Sequence, residues 1–187
     1  MMRARSNSEP PKCITPRWAW WVATGFGSGL LRPAPGTWGS LAALPVWAGL
    51  VVLLHSLAIS LALFECLLGL SVLLMVFVSV VASGIVVRQT ASKDPSYVVS
   101  DEWAGMWLAL WPARWIVSNA IDSDVWALAV AAVFAAFILF RLFDIWKPWP
   151  IRSLEKLPGG WGVTLDDVAA GMFAGLFVYG LLLVVTR

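Results

Sequence analysis

The chain has one histidine, two cysteines and few charged residues. Cys13 lies in a polar segment and Cys66 lies inside an apolar run, which is typical of neither a disulfide framework nor a metal-ligand spacing. The histidine, His55, also lies in an apolar run, and we interpret it as a structural residue that pairs with a neighbour. Only 13% of the residues are charged and the formal net charge is +2, so the composition gives no case for nucleic acid as a partner.

Apolar and aromatic side chains, by contrast, are abundant. Hydrophobic residues make up 60% of the chain, and 13 residues are tryptophan. This composition is too apolar for a soluble globular protein of this length, and tryptophan favours the headgroup level of a bilayer. The length indicates a single domain. We therefore predict an all-α polytopic membrane protein.

The order of polar and apolar segments predicts how the chain is organised. Residues 1–16 are polar, which predicts a disordered tail ahead of one membrane-embedded domain over 17–187. The tail is not a secretory signal, because no apolar segment follows it directly. A spanning helix needs about 20 apolar residues, and the chain has four to five such runs after a Gly/Pro-rich loop. The runs cover residues 41–63, 64–87, 103–120, 125–143 and 168–185.

Particular residues within these runs predict turns, breaks and contacts of the helices. Glu65 is taken to mark the turn between the first two runs. Pro112 and Arg114 interrupt the third run, which would either span with a kink or lie partly in the interface. Gly171 and Gly175 in the fifth run have the GxxxG spacing of a helix-packing contact.

Short acidic segments occur where the apolar runs begin or end, and counting the spans predicts that these segments meet. If the first two helices both span, residues 24–40 and 88–102 lie on the same side of the membrane. If the third and fourth helices also span, 144–167 lies there too, so this convergence depends on the interrupted third helix. Most Lys and Arg residues fall on that side, which marks it as cytoplasmic and puts the C-terminus outside.

The segment 24–40, TGFGSGLLRPAPGTWGS, precedes the first apolar run and combines five glycines with hydroxyl groups and one arginine. Such a loop can direct backbone N–H groups at an anion, and it leads into a helix N-terminus that also favours anions. It is not a Walker A motif, because no Gly-Lys-Ser/Thr ends it. A loop whose glycines only permit tight turns is an equal alternative. The residues assigned to phosphate binding are Gly27, Ser28, Gly29, Arg32, Gly36 and Thr37.

Two of the acidic segments, 94–105 and 158–171, each precede an apolar run. Ser100 and Thr164 are expected to cap the helices that follow. The acids next in sequence would then occupy the first helical turns, where the helix dipole favours negative charge. This local effect explains one carboxylate well and two adjacent carboxylates beside a membrane helix less well. The adjacent acids are Asp101 with Glu102 and Asp166 with Asp167.

The remaining acidic segment, 140–152, ends the fourth apolar run. Arg141, Asp144 and Lys147 recur at every third residue and therefore share one face of the helix end. A ladder of weak ion pairs at the membrane surface is the structural interpretation. The functional interpretation is one metal ligand flanked by two phosphate-binding cations, because Arg contacts phosphate bidentately and Lys acts as a point charge.

Carboxylates near a bilayer are costly unless they meet a cation, water or a partner, so these acids are candidates for a functional site. Four or five carboxylates with no His or Cys beside them favour a hard cation. Mg²⁺ takes oxygen ligands, keeps waters and bridges to substrate phosphate. The sequence therefore predicts a Mg²⁺ site at the membrane face. The candidate catalytic residues and metal ligands are Asp101, Glu102, Asp144, Asp166 and Asp167, with Arg141 and Lys147 as phosphate-binding cations.

Four blocks of sequence carry these residues: TGFGSGLLRPAPGTWGSLAALP (24–45), SDEWAG (100–105), RLFDIWKPWPI (141–151) and GGWGVTLDDVAAG (159–171). In this order they resemble the phosphatidylglycerophosphatase A family of bacterial membrane lipid phosphatases. Trp103, Trp161 and Thr164 stand where smaller or aliphatic residues are expected. The resemblance implies a phosphatase domain in the bacterial inner membrane that faces the cytoplasm. It also implies Mg²⁺-dependent conversion of the phospholipid phosphatidylglycerophosphate to phosphatidylglycerol, a step of phospholipid biosynthesis.

Residues that the chain lacks exclude several phosphatase mechanisms. A phosphohistidine route needs a second histidine as acid, no cysteine precedes an arginine in a phosphate-binding loop, and no Asp-x-Asp pair lies near the N-terminus. Metal-assisted hydrolysis remains, with one or two Mg²⁺ held chiefly by Asp101, Asp144 and Asp166. Glu102 or Asp167 would act as general base, and direct attack by a carboxylate stays open.

An ion-coupled membrane transporter with a cytoplasm-facing acidic site is the chief alternative, because intramembrane acids and broken helices are expected there too. Against it, the acids lie at helix ends and no internal repeat is visible. A phosphotransferase that uses a nucleotide-activated lipid needs Asp-Gly followed by Asp-x-x-x-Asp, and the chain has neither. A purely structural membrane subunit would leave the clustering of charges unexplained.

Overall fold

A computed structural model describes residues 16–90, 95–123 and 126–186. These residues form α-helices and two 3₁₀ turns, and none of them is in a β-strand. The predicted all-α polytopic membrane fold is therefore confirmed, whereas the predicted disordered tail lies outside the described residues except for Pro16. The helices are α1 (Arg17–Ala23), α2 (Pro35–Ser56), α3 (Leu61–Thr90), α4 (Ser100–Leu110), α5 (Arg114–Ser123), α6 (Trp126–Trp146), α7 (Ile151–Leu154) and α8 (Gly160–Val185), and the 3₁₀ turns are Ser28–Leu30 and Trp111–Ala113.

Helices α2, α3, α6 and α8 are long and apolar enough to cross a membrane. The largest shift of a single helix boundary is at the start of α8, since the helix begins at Gly160 and not near residue 168. The residue before it, Gly159, has a φ of +60°, a conformation that glycine adopts readily. The chain therefore turns at Gly159, and the helix starts at the next residue. Asp166 and Asp167 consequently lie in the second turn of α8, and Thr164 does not cap the helix.

The interrupted third segment is not one continuous helix. It consists of α4, the 3₁₀ turn that contains Pro112, and α5. Proline has no N–H to donate and its ring clashes with the preceding turn, which explains the break. Neither α4 nor α5 is among the described helices long and apolar enough to span, so the interruption at Pro112 divides the predicted third run into two short helices.

The broken segment nevertheless connects the two ends of the bundle. Near its start, Glu102 lies against Gly36 in the first turn of α2. Near its end, Asp122 lies 3.2 Å from His55 in the last turn of α2. The chain therefore changes sides between residues 100 and 123, as the predicted convergence of the acidic segments requires.

Helix α4 lies at the centre of the bundle, with nine of its 11 residues buried. It packs against α2, α3, α6 and α8. The closest approach is to α8, where a side chain added at Gly105 or Gly171 would collide with the backbone of the other helix. The Gly171–Gly175 pair thus serves helix packing, as its spacing predicts. The same contact holds the acids of α4 and α8 side by side.

Candidate active site

A cavity of about 370 Å³ lies on the side of the bundle where α2, α4 and α8 begin and α6 ends. Acidic residues from three helices line it, together with the two predicted cations. The structure thus brings together the acidic segments that the order of spans predicted to meet. The predicted residues in its wall are Gly36, Thr37, Asp101, Glu102, Arg141, Asp144, Lys147, Asp166 and Asp167.

Helix α4 supplies its two acids from its first turn, as predicted, although the hydroxyl of Ser100 does not cap the helix. Asp101 is 6% exposed, and its Oδ1 accepts a hydrogen bond from the N–H of Glu102. The carboxylate of Glu102 lies against the first turn of α2, where a side chain added at Gly36 or Gly39 would collide with it. These two glycines therefore make room for a carboxylate, a role that the sequence interpretation did not include.

Arg141 connects acids from two helices. Its Nη1 lies 3.3 Å from Oε1 of Glu102 on α4 and 2.8 Å from Oδ2 of Asp144 on α6. The sequence predicted only the second contact, because three-residue spacing reveals neighbours within one helix. The three side chains are 13–17% exposed, so water and salt screen these contacts less than they would at an open surface. The guanidinium thus balances negative charge on two sides of the cavity.

Lys147 follows the last residue of α6 and has a φ of +44°, in the left-handed region. Its backbone N–H donates to the carbonyl of Phe143 at 2.8 Å. A left-handed residue with such a hydrogen bond is a frequent C-terminal cap of a helix. The Nζ atom lies 2.6 Å from Oδ2 of Asp166. Burial alone would lower the pKa of this ammonium, but the hydrogen bond to Asp166 and the carboxylates of Asp167 and Asp144 raise the pKa above its usual value. The side chain therefore stays cationic across the physiological pH range.

Asp166 and Asp167 are 3% and 4% exposed, and both line the cavity. Successive residues of a helix point about 100° apart, yet both side chains reach the cavity. Among the described residues, Oδ1 of Asp166 is buried and has no hydrogen-bond donor. A buried polar atom without a partner costs roughly 1–3 kcal/mol, which indicates that a ligand belongs beside it.

Four residues of the predicted phosphate-binding loop lie outside the cavity wall. The hydroxyl of Ser28 donates to the carbonyl of Gly25 at 2.8 Å. A side chain added at Gly29 would collide with the carbonyl of Tyr97, and Arg32 is exposed. The loop therefore packs against the segment ahead of α4, and only its end reaches the cavity. The four residues are Gly27, Ser28, Gly29 and Arg32, whereas Gly36 and Thr37 line the cavity.

The structure adds cavity residues that the sequence interpretation left out of the site. Glu155 and Ser96 contribute further oxygen atoms, and Gly159 and Gly162 contribute backbone. Glu155 could have been included, because it lies between the second and third acidic segments on the predicted site face. Nothing in the sequence distinguishes Ser96 from other loop serines.

The donor atoms of the cavity suit a hard cation, although they are not preassembled around one point. In the described part of the chain, no three Asp, Glu, His or Cys side chains already form a metal-ligand group. Mg²⁺ typically takes one or two carboxylates and completes its shell with waters and substrate phosphate. The buried, unpartnered Oδ1 of Asp166 and the carboxylates around it therefore fit an ion that is bound together with a phosphate.

Comparison with known proteins decides the family. A family model described as Phosphatidylglycerophosphatase A matches residues 21–182, a range that contains every candidate site residue. The chain belongs to the phosphatidylglycerophosphatase A family. The resemblance read from the four sequence blocks is thereby confirmed.

Relatives of this phosphatidylglycerophosphatase A family member cover most of its length. The Escherichia coli protein named Phosphatidylglycerophosphatase A is 34% identical over 159 residues, which are 84% of this chain and 80% of that protein. The Haemophilus influenzae protein of the same name is 36% identical over 166 residues, or 86% of each chain. A Bacteroides thetaiotaomicron protein, named as a candidate phosphatidylinositol-3-phosphatase, is 37% identical over 160 residues, which are 84% of this chain and 89% of that protein. No solved structure gives a significant match.

Membership of the phosphatidylglycerophosphatase A family, together with the four apolar helices, makes the chain a membrane enzyme that hydrolyses a phosphomonoester. The ion-coupled transporter is not favoured by these findings. The buried acids at the helix ends are therefore candidates for the site of this enzyme.

Proposed function

We propose that the chain removes the terminal phosphate of phosphatidylglycerophosphate in a Mg²⁺-dependent reaction, giving phosphatidylglycerol for phospholipid biosynthesis. The observation that carries this proposal is the single cavity where acids from three helices meet Arg141 and Lys147 at the ends of membrane helices. A lipid with two acyl chains would have its headgroup at this depth. Two relatives named for this activity support the choice of substrate.

The residues proposed to hold Mg²⁺ are Asp101, Asp144 and Asp166. Bound there, the ion would polarise phosphoryl oxygens and lower the pKa of a water ligand. Glu102 or Asp167 is the proposed general base, because both line the cavity beside these acids. Hard oxygen donors without histidine or cysteine, and the unpartnered Oδ1 of Asp166, support this assignment.

Arg141 and Lys147 are proposed to bind the phosphate monoester. Without substrate they contact Asp144 at 2.8 Å and Asp166 at 2.6 Å, and so reduce the repulsion among the acids. An entering phosphate would share these donors. Fixed cations beside the transferred group stabilise the charge that it carries in the transition state.

We further propose that the protein lies in the bacterial inner membrane with the cavity facing the cytoplasm. Basic residues gather at the cavity end of the bundle, and a Lys and Arg excess marks the cytoplasmic side. A cysteine at the exposed position 152, in a background without native cysteines, should react with a membrane-impermeant thiol reagent only after cells are opened. Labelling in intact cells would contradict this orientation. The described basic residues at the cavity end are Arg17, Arg32, Arg88, Arg141, Lys147, Arg152 and Lys156.

The test of the proposed reaction is phosphate release by the purified full-length protein in mixed micelles. We expect release from phosphatidylglycerophosphate with Mg²⁺, with phosphatidylglycerol as the lipid product, and none after chelation. Phosphatidylinositol 3-phosphate, the type of lipid named for the Bacteroides relative, is the comparison substrate. Faster release from that lipid would overturn the substrate assignment, and no release from either lipid with metal present would overturn the proposed reaction.

A further inference from the structure

Three buried hydroxyl groups form a hydrogen-bonded cluster beneath the acids of the cavity. The Oγ of Ser79 on α3 lies 3.1 Å from the Oγ of Ser100 on α4 and 3.0 Å from the Oγ1 of Thr164 on α8. All three residues have no exposed surface. Ser79 is thus the one member in contact with both others, and the cluster joins three helices.

Hydroxyl groups in membrane helices are satisfied either within their own helix or by a neighbouring helix. A serine in a helix can bond the carbonyl four residues earlier on its own helix. Ser83, one turn beyond Ser79 on α3 and equally buried, does so by donating to the carbonyl of Ser79 at 2.6 Å. Ser79 instead uses its hydroxyl between helices. Backbone contact supports this arrangement, because a side chain added at Gly160 of α8 would collide with the carbonyl of Val80.

Both outer members of the cluster lie next to the proposed catalytic acids. Ser100 immediately precedes Asp101 on α4, and Thr164 precedes Asp167 by three residues on α8, so that these two share one face. Rotation of either helix by one residue, about 100°, would move at least one of its two carboxylates out of the cavity. Hydrogen bonds from α3 to both helices oppose that rotation and fix the two pairs of acids relative to each other.

We propose that Ser79 is a positioning residue for the phosphatase reaction, acting through Ser100 and Thr164 on the acids of α4 and α8. Ser79 does not line the cavity, so it takes no direct part in binding the phosphate. This inference rests on the proposed function, because the acids that it positions are the proposed metal ligands and bases. Loss of outer partners that orient metal-binding side chains typically lowers metal affinity or activity roughly 10–100-fold.

The test compares Ser79→Ala with the matched control Ser83→Ala in the full-length protein. We expect Ser79→Ala to lower kcat for phosphatidylglycerophosphate about 10–100-fold with KM within about twofold of wild type, because the phosphate-binding cations remain in place. Binding of Mn²⁺, followed by electron paramagnetic resonance, should weaken by a similar factor. Ser83→Ala should match wild type in both measurements, since its hydroxyl bonds only its own helix.

A second pair of variants separates positioning from packing. Thr164→Val keeps the shape of the side chain but removes the hydroxyl, and should lose kcat as Ser79→Ala does. Thr164→Ser keeps the hydroxyl and should retain kcat. Thermal unfolding in detergent identifies any variant that has not folded.

Three results have distinct meanings. Wild-type kcat in Ser79→Ala, or equal losses in Ser79→Ala and Ser83→Ala, would overturn the positioning role. Equal activity of Thr164→Val and Thr164→Ser would overturn it as well. A wild-type protein that releases no phosphate would overturn the proposed function instead, and Mn²⁺ binding would still report whether Ser79 orders the acids.

Discussion

The two ends of the helix bundle each hold a cavity of about 370 Å³, but their charges are arranged differently. At the end away from the candidate active site, Glu65 lies 2.6 Å from Arg114, and His55 lies 3.2 Å from Asp122. Each acid in these two pairs has one basic neighbour. At the other end, six acids and two bases line the cavity among the residues that the structure describes.

We infer from this difference that the paired charges at the far end stabilise the fold, whereas the excess of acids at the other end serves to bind a ligand. Balanced, partly exposed pairs such as Glu65 with Arg114 contribute about 1 kcal/mol or less. An excess of acids is unfavourable beside a membrane unless a cation joins them, and Asp101, Asp166 and Asp167 are at most 6% exposed. We therefore expect a divalent ion to act at one end of the bundle and substitutions at the other end to affect stability alone.

The largest effect should come from Asp144→Asn in the active-site cavity. Phosphate release should fall roughly 10²–10³-fold, the range for loss of one group that stabilises transition-state charge. Asparagine keeps the size of the side chain, so the protein should remain folded and inserted in the membrane. The matched control is Asp122→Asn at the opposite end, which should release phosphate at the wild-type rate. Near-normal turnover by Asp144→Asn would remove this residue from the mechanism.

An intermediate effect, on stability and not on turnover, is expected from Glu65→Gln. The substitution removes the negative partner of Arg114, which keeps its hydrogen bond to the carbonyl of Trp111 at 2.8 Å. The free energy of unfolding should fall by about 1 kcal/mol or less, or roughly 2–4 °C in Tm. Thermal unfolding in detergent and phosphate release measure the two quantities. Lost turnover at unchanged Tm would show that the two ends do not act separately.

The smallest effect is expected from His55→Ala. Its partner Asp122 is 64% exposed, so water already solvates that carboxylate. The free energy of unfolding should change by no more than about 0.5 kcal/mol, with phosphate release unaltered. A larger drop in Tm than that of Glu65→Gln would reverse the proposed order of the two ion pairs.

The comparison also explains which errors the sequence interpretation made. Hydropathy marks where a chain enters the apolar layer and not where a helix begins, so the start of α8 was placed near residue 168 and not at Gly160. For the same reason, Glu65 was assigned to the turn between two helices, although it lies within α3, which begins at Leu61. His55 pairs with Asp122 at the end of the bundle away from the candidate active site, which agrees with its interpretation as a structural residue.

Glycines gave the least reliable prediction, because the same residue serves a phosphate loop, a tight turn or a close contact. Gly29 packs against Tyr97, Gly36 admits the carboxylate of Glu102, and Gly171 permits contact with α4. The partner across the contact decides between these roles, and it is distant in sequence. Spacing distinguished only the last case.

The sequence by itself determined that this is a helical membrane protein, and it predicted that the acidic segments share one face provided that the interrupted third segment crosses the membrane. These properties follow from run length, the order of spans and residue type, all of which are local or additive along the chain. The tertiary structure alone decided that Arg141 contacts Glu102 as well as Asp144, that Lys147 reaches Asp166, and that Ser79 joins three helices. Such contacts depend on how helices pack and rotate against one another, and periodicity within one helix carries no information about its neighbour's rotation.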